Sequence, residues 1–155
     1  MKHEVLCLGK AKESFVTEGV SLYAGRLHHY TTFSLTVLKD RPRGALSPRQ
    51  AAEAEGRSLL QAVPAGALVV ALDPGGKQLS SEELANLIGD WETRGVKQVC
   101  YLIGGPDGHP PPVLARADLL LSLSRMIFTH DMARLLLIEQ LYRAYTIRAG
   151  EKYHK

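Results

Sequence analysis

The chain has 155 residues, 45% of them hydrophobic and 23% charged, with a formal net charge of +3. That length suits one domain with a real core, and the composition argues against disorder. The modest positive charge permits contact with nucleic acid without specifying it.

No apolar run approaches the length of a membrane span, and the N-terminal stretch lacks the apolar core and cleavage site of a secretion leader. A cytosolic location is expected. Glu4 to Gly9 (EVLCLG) reads as a first strand closed by a glycine. Lys12 to Leu27 carries a helical pattern, with Phe15, Gly19, Leu22, Tyr23 and Leu27 near one face. Thr31 to Leu38 (TTFSLTVL) alternates and is β-branched, which predicts a second strand. Lys39 to Gly44 (KDRPRG) is polar and basic and reads as a solvated turn. Ser47 is a helix N-cap with Pro48 at the first helical position, and the helix continues from Ala51 to Val63.

Ala67 to Leu72 (ALVVAL) predicts a strand buried on both faces that exits into the turn Asp73-Pro74-Gly75-Gly76. Ser80 or Ser81 caps the next helix, whose buried stripe is Leu84, Leu87, Ile88 and Trp91 and whose stop is Gly95. Val99 to Ile103 is a further strand, apolar on both faces as in the interior of a covered parallel sheet. It runs into Gly104-Gly105-Pro106-Asp107-Gly108. Pro110 to Pro112 can only start a helix, so Val113 to Ala117 is a short one. Asp118 to Ser124 is an apolar strand, Arg125 to Thr129 a link, and His130 to Arg148 a helix capped by Thr129. Gly150 to Lys155 is a short basic tail. Cys7 and Cys100 fall in predicted buried strands, away from metal or disulfide spacing.

Strands alternating with helices predict an α/β fold: a parallel sheet with helices on both faces. In such sheets ligands bind outside the carboxyl ends of the strands. The glycine loops after Leu72 and after Ile103 would lie at one such edge and could wall a small-molecule pocket. Glycine lets backbone approach a ligand closely. The neighbouring Leu and Ile side chains suit an adenine ring better than a polyphosphate. A tight strand-exit turn would explain either loop alone. There is no GxGxxG fingerprint, Walker motif, Ser-His-Asp arrangement or metal-ligand spacing. His130 and His154 are the histidines of interest, while His28, His29 and His109 read as surface residues.

The last helix is apolar nearly all round. Leu137, Ile138, Leu141 and Tyr145 share one side, and Glu139, Arg143 and Thr146 form a narrow polar stripe. A terminal helix of this kind has few neighbours in its own chain, so a homodimer through it is expected. Arg134 lies within the apolar side, either as an interface or substrate contact or as a side chain reaching the helix edge.

Leu102 to Gly108, Leu121 to Ser124, and His130 to Ala144 together resemble the ribosomal RNA large subunit methyltransferase H family, small members of the SPOUT methyltransferases. Gly9-Lys10, Leu72-Asp73 with Gly75-Gly76-Lys77, and the ending Tyr153-His154 match as well. The resemblance spans the whole chain and implies a single SPOUT domain over residues 1–155 with a C-terminal trefoil knot. It implies S-adenosylmethionine held by Leu72, Gly104, Gly105, Gly108 and the link Leu123, Ser124, Arg125, Met126, Ile127 and Phe128. It also implies a metal-free homodimer that methylates N3 of a pseudouridine in 23S rRNA, within the large subunit or the 70S ribosome. Arg134, Tyr142, Arg143, Tyr153 and His154 are then the candidate catalytic residues. The tail would reach the cofactor of the other subunit. A SPOUT enzyme acting on another RNA such as tRNA, and a non-catalytic nucleotide-binding module, are the alternatives.

Overall fold

A computed structural model describes residues 1–40 and 44–154. In chain order it contains β1 (Lys2–Leu8), α1 (Ser14–Leu27), β2 (Thr32–Leu38), α2 (Pro48–Ala62) and β3 (Leu68–Gln78). There follow α3 (Ser81–Thr93), β4 (Gln98–Leu102), α4 (Pro111–Arg116), β5 (Leu119–Ser122), α5 (His130–Arg148) and a 3-10 turn at Lys152–His154. The five strands form one parallel sheet in the order β2-β1-β4-β3-β5. The expected turn over Lys39 to Gly44 includes Arg41, Pro42 and Arg43, which lie outside the described residues.

The central strands are buried on both faces, as their unbroken apolar runs require. Val5, Leu6, Val69, Val70, Val99, Cys100, Tyr101 and Leu102 are all fully enclosed. On one face, Val5, Val70 and Tyr101 pack with Leu27 of α1, Ile88 and Trp91 of α3, and Leu137, Ile138 and Leu141 of α5. On the other, Leu6, Val69, Cys100 and Leu102 pack with Leu59 of α2 and Val113 of α4. Each such side chain contributes roughly 1.5–3 kcal/mol by leaving water. Capping defines the helix starts. Ser47 accepts from Gln50 N, and the Gln50 side chain accepts from Ser47 N in return. Ser80 and Glu83 make the same reciprocal pair at α3. Thr129 caps α5 by accepting from Met132 N.

Four features depart from the sequence reading. The inward face of α1 is Val16, Val20, Tyr23, Ala24 and Leu27, while Phe15 and Leu22 stand in solvent. The chain leaves the ladder at Asp73–Gly76 as expected, but Lys77 and Gln78 return to pair with Leu121 and Ser122 of β5. The expected exit is therefore a bulge inside a longer strand. The last helix is not short of neighbours, since α1 and α3 flank it and bury Leu137, Leu141, Tyr142 and Tyr145 within the chain. Thr146 is enclosed rather than on a polar stripe, and its hydroxyl donates to Arg143 O.

Candidate functional site

The bulge of β3 and the carboxyl ends of β4 and β5, closed by the link into α5, enclose a cavity of about 580 Å³. Its floor is Leu72, Ile103 and Leu121, and the glycine loop forms one wall through Gly104, Gly105 and Gly108. Leu123, Ser124, Met126, Ile127 and Phe128 form the opposite wall. The link is shaped by two serines: Ser122 donates to Ser124 O, and Ser124 Oγ accepts from Met126 N. Gly108 sits at φ +78°, a conformation other residues rarely adopt, and this folds the loop back over the strand ends. A Cβ on Gly104 would come 3.1 Å from the His109 ring, and one on Gly105 would strike the Glu55 carboxylate.

His109 belongs to the cavity wall rather than to the surface. Its Nε2 faces Leu102 O at 3.2 Å and so carries the proton, because a carbonyl can only accept. Burial holds its pKa below the ordinary histidine value, so the ring is neutral. Its Nδ1 is enclosed and has no hydrogen-bond partner. The Asp73 carboxylate is turned onto Gly75 N at 2.9 Å. The cavity is thus mainly apolar, with backbone edges and a neutral imidazole as its polar features, a composition for binding rather than for acid–base work.

The candidate catalytic residues divide into two places. Tyr142, Arg143, Tyr153 and His154 come together where the tail folds back along α5. Arg143 donates to Glu139 at 2.7 and 3.1 Å, Tyr153 donates to the same carboxylate at 3.0 Å, and the Arg143 guanidinium lies over the Tyr153 ring. The rings of Tyr142 and Tyr153 meet edge to face at 4.7 Å. His154 sits between Arg143 and Glu82, with Nδ1 at 3.3 Å from the first and Nε2 at 2.7 Å from the second. Arg143 can only donate, so Nδ1 accepts and Nε2 gives its proton to Glu82. Burial, with contacts to Tyr23 and Glu139, pushes the Tyr153 phenol well above its ordinary pKa, so it stays protonated.

Arg134 lies elsewhere. Its side chain is 2% exposed, and it donates to Gly9 O at 2.9 Å and Leu8 O at 3.4 Å, with Asp131 at 3.8 Å. It does not reach the helix edge, and its guanidinium holds the backbone where β1 ends. None of these five residues lines the cavity of its own chain, and neither does the exposed Arg125.

Residues 1–154 match the family described as predicted SPOUT methyltransferase. The chain is 62% identical over 156 residues, covering all of both chains, to ribosomal RNA large subunit methyltransferase H of Desulfotalea psychrophila. It is 42% identical over 161 residues, again covering both chains in full, to the protein of that name from Symbiobacterium thermophilum. The chain belongs to the ribosomal RNA large subunit methyltransferase H family of SPOUT methyltransferases. A solved structure described as a probable methylase family protein from Haemophilus influenzae shares the fold, with a TM-score of 0.52 at 12% identity over 97% of this chain and 67% of that one.

Within this SPOUT methyltransferase, the cavity takes in nine of the ten residues that the sequence nominated for a cofactor. Sequence reasoning missed His109, Leu121, Thr129 and Ala133, which also line it. His109 carried a signal, since it follows the glycine loop directly, but a histidine beside Gly108 and Pro110 resembles an ordinary turn residue. Glu139, the hub of the tail cluster, was hidden by its i,i+4 spacing to Arg143, which reads as a routine surface pair. Among the described residues no group of His, Cys, Asp and Glu is placed to hold a metal, and no helix is long and apolar enough to cross a membrane.

Proposed function

We propose that this SPOUT methyltransferase uses S-adenosylmethionine to methylate N3 of a pseudouridine in 23S rRNA, within the large subunit or the 70S ribosome. The observation that carries the reading is the apolar cavity at the sheet edge, in a chain 62% identical over its full length to a relative named for large-subunit rRNA methylation. In this reading residues 1–155 act as one domain, and the chain around the cavity is threaded as a trefoil knot. The working enzyme is a cytoplasmic homodimer that needs no metal and no membrane.

The residues present fit the donor. Leu72, Ile103, Leu121 and Leu123 offer apolar walls to an adenine ring, and the enclosed, partnerless Nδ1 of His109 marks a polar demand within them. S-adenosylmethionine supplies, when bound, an electrophilic methyl on a sulfonium. Gly104, Gly105 and Gly108 would offer backbone N–H and C=O groups to it. The link Leu123 to Phe128 would lie along its outer side, with Met126 and Ile127 at the rim. Holding donor and base in line supplies much of the rate.

The uracil N3 must lose its proton as the new C–N bond forms, and a fixed cation beside the base favours the anion. Arg143 is that cation, held by Glu139. Tyr142 and Tyr153 wall the base, Tyr153 keeps its hydrogen bond to Glu139 and so steadies Arg143, and His154 is the candidate proton acceptor through Nδ1 once the base displaces its 3.3 Å contact with Arg143. The cluster serves the cavity of the partner subunit, which makes the site composite. Arg134 works at one remove, through the loop it holds.

Methyl transfer from tritiated donor to ribosomes of a deletion strain, followed by mass spectrometry of the nucleosides, tests the reading. Label in a single large-subunit pseudouridine is the expected result. Label in tRNA alone would move the substrate, and donor binding without any transfer would leave a nucleotide-binding module. Deleting Tyr153 to Lys155 should lower transfer by more than about 100-fold, the scale of lost positioning, while donor affinity by calorimetry changes little. Full turnover by that truncation would remove the tail from the mechanism.

A further inference from the structure

We propose that the loop from Gly9 to Glu13 is a docking arm for RNA phosphates, held in register with the cavity by Asp131 and Arg134. The proposal rests on the reading above that the substrate is RNA.

The loop leaves the carboxyl end of β1, the same edge of the sheet that carries the cavity. It is tied down with unusual effort for an exposed loop. Arg134, almost wholly buried, gives hydrogen bonds to Leu8 O and Gly9 O. Asp131, also buried, accepts from Lys12 N at 3.0 Å. Gly9 turns the chain at φ +70° with Asp40 packed against it. Burying an arginine and a carboxylate is costly unless both are well satisfied, and a solvated β-to-α loop does not need such a brace. Arg134 Nε and Asp131 Oδ1 even remain without hydrogen-bond partners.

What the brace holds out to solvent is Lys10 and Lys12, with the exposed Glu13 at the far end of the loop beside α1. Neither lysine is in an ion pair among the described residues. The brace also fixes where they stand. Asp131 and Arg134 lie on the first turns of α5, and His130 and Ala133 of those turns line the cavity. One rigid piece of helix therefore sets the distance between the methyl donor and two cations. Phosphate contacts fix orientation and register on a nucleic acid rather than reading its sequence. A pre-ordered arm avoids the entropy of ordering a loop at the moment of binding.

The test uses the full-length protein and ribosomes from a strain lacking the modification. In Lys10→Gln/Lys12→Gln, KM for ribosomes should rise about tenfold at moderate salt, and the slope of log KM against log salt should fall by about 1.4–1.8, the release of two counterions. The kcat and the donor affinity should stay within about twofold, since uniform binding is what has been lost. Asp131→Ala should raise KM in the same way with both lysines present, and Asp131→Asn, which keeps the acceptor for Lys12 N, should restore it. An unchanged KM and salt slope in the double variant, with transfer intact, would overturn the docking arm and leave the proposed activity standing. If the wild-type protein transfers no methyl group, the proposed activity falls instead. The arm is then judged by filter binding to large-subunit RNA, where equal affinity and salt slope in wild type and double variant would overturn it.

Discussion

His3 is buried at the amino end of β1, with Nδ1 at 3.0 Å from Tyr101 OH and Nε2 at 2.7 Å from Tyr145 OH. Tyr145 donates onward to Glu92, which Arg148 also holds, so the consistent assignment has Nε2–H donating to Tyr145 and Nδ1 accepting from Tyr101. The ring is satisfied only when neutral, and burial lowers its pKa from 6.5 to about 4. Between those values the unfolded chain takes up a proton that the folded chain refuses. Stability contributed by this group is therefore intact above pH 6.5 and is lost as pH falls toward 4. The full effect is on the order of 3 kcal/mol. Glu92, whose pKa is depressed by Arg148, also loses its contribution in acid, so a comparison is needed. His3→Phe should be less stable at pH 7 by about 1–3 kcal/mol, the cost of a broken buried network. Its urea midpoint should nevertheless fall less than that of wild type between pH 6.5 and pH 4. Parallel curves would rule out His3 as the acid-labile group. Nothing in the first strand marks this residue in advance, because its partners lie 98 and 142 positions away.

Among the elements, Gly76 is the point on which the cavity wall turns. A Cβ there would sit 2.6 Å from Leu120 O and 2.9 Å from Leu121 N, and this is backbone that cannot swing aside. The bulge at Asp73 to Gly76 thus brings β3 against β5 closely enough for Lys77 to pair with Leu121. Gly76→Ala must push β5 outward, and the link Leu123 to Phe128 moves with it. A loss of about 1–3 kcal/mol is expected from the urea midpoint, as for other overpacked sites. Donor affinity should fall alongside, and calorimetry showing wild-type binding would detach the bulge from the pocket. Local chemistry made several elements readable beforehand. Ser47, Ser80 and Thr129 cap their helices as the sequence suggests, because a cap is decided within four residues. The return of β3 into the sheet was not readable, because it depends on a strand more than forty residues further on. The face of α1 is not legible for a related reason. Gly19 looks like a gap in a stripe, yet it is the contact point for Leu135 of α5, so Phe15 and Leu22 fall outside.

For the molecule as a whole, the alternation of strands and helices is enough to read a covered parallel sheet and the edge that carries the cavity. Strand order was not readable, since nothing local says that β4 lies between β1 and β3. The wall residues of the cavity could be nominated because glycine loops announce themselves. Leu121 and Ala133 could not, because only the assembled sheet brings them in. The same assembled surface leaves large apolar side chains in solvent. Phe15 is 57% exposed and Leu22 49%, one helical face of α1 beside α5, while Met126 and Ile127 are each 76% exposed at the cavity rim. We propose that a second copy of the chain covers them, since exposed apolar side chains of this size suit an interface. A second copy seated there would cover α1 and bring a foreign tail cluster toward the cavity. Phe15→Glu/Leu22→Glu should sediment as a folded monomer that retains donor affinity but not methyl transfer, and a fully active monomer would refute the composite site. Mixing two inactive proteins is the sharper experiment. One lacks Tyr153 to Lys155, and the other has its cavity blocked by Leu123→Trp. Random pairing makes half of the dimers mixed, each with one intact cavity facing one intact tail, so activity should return to about a quarter of wild type. A site built within one chain would have no intact copy in any such dimer, and the mixture would stay inactive.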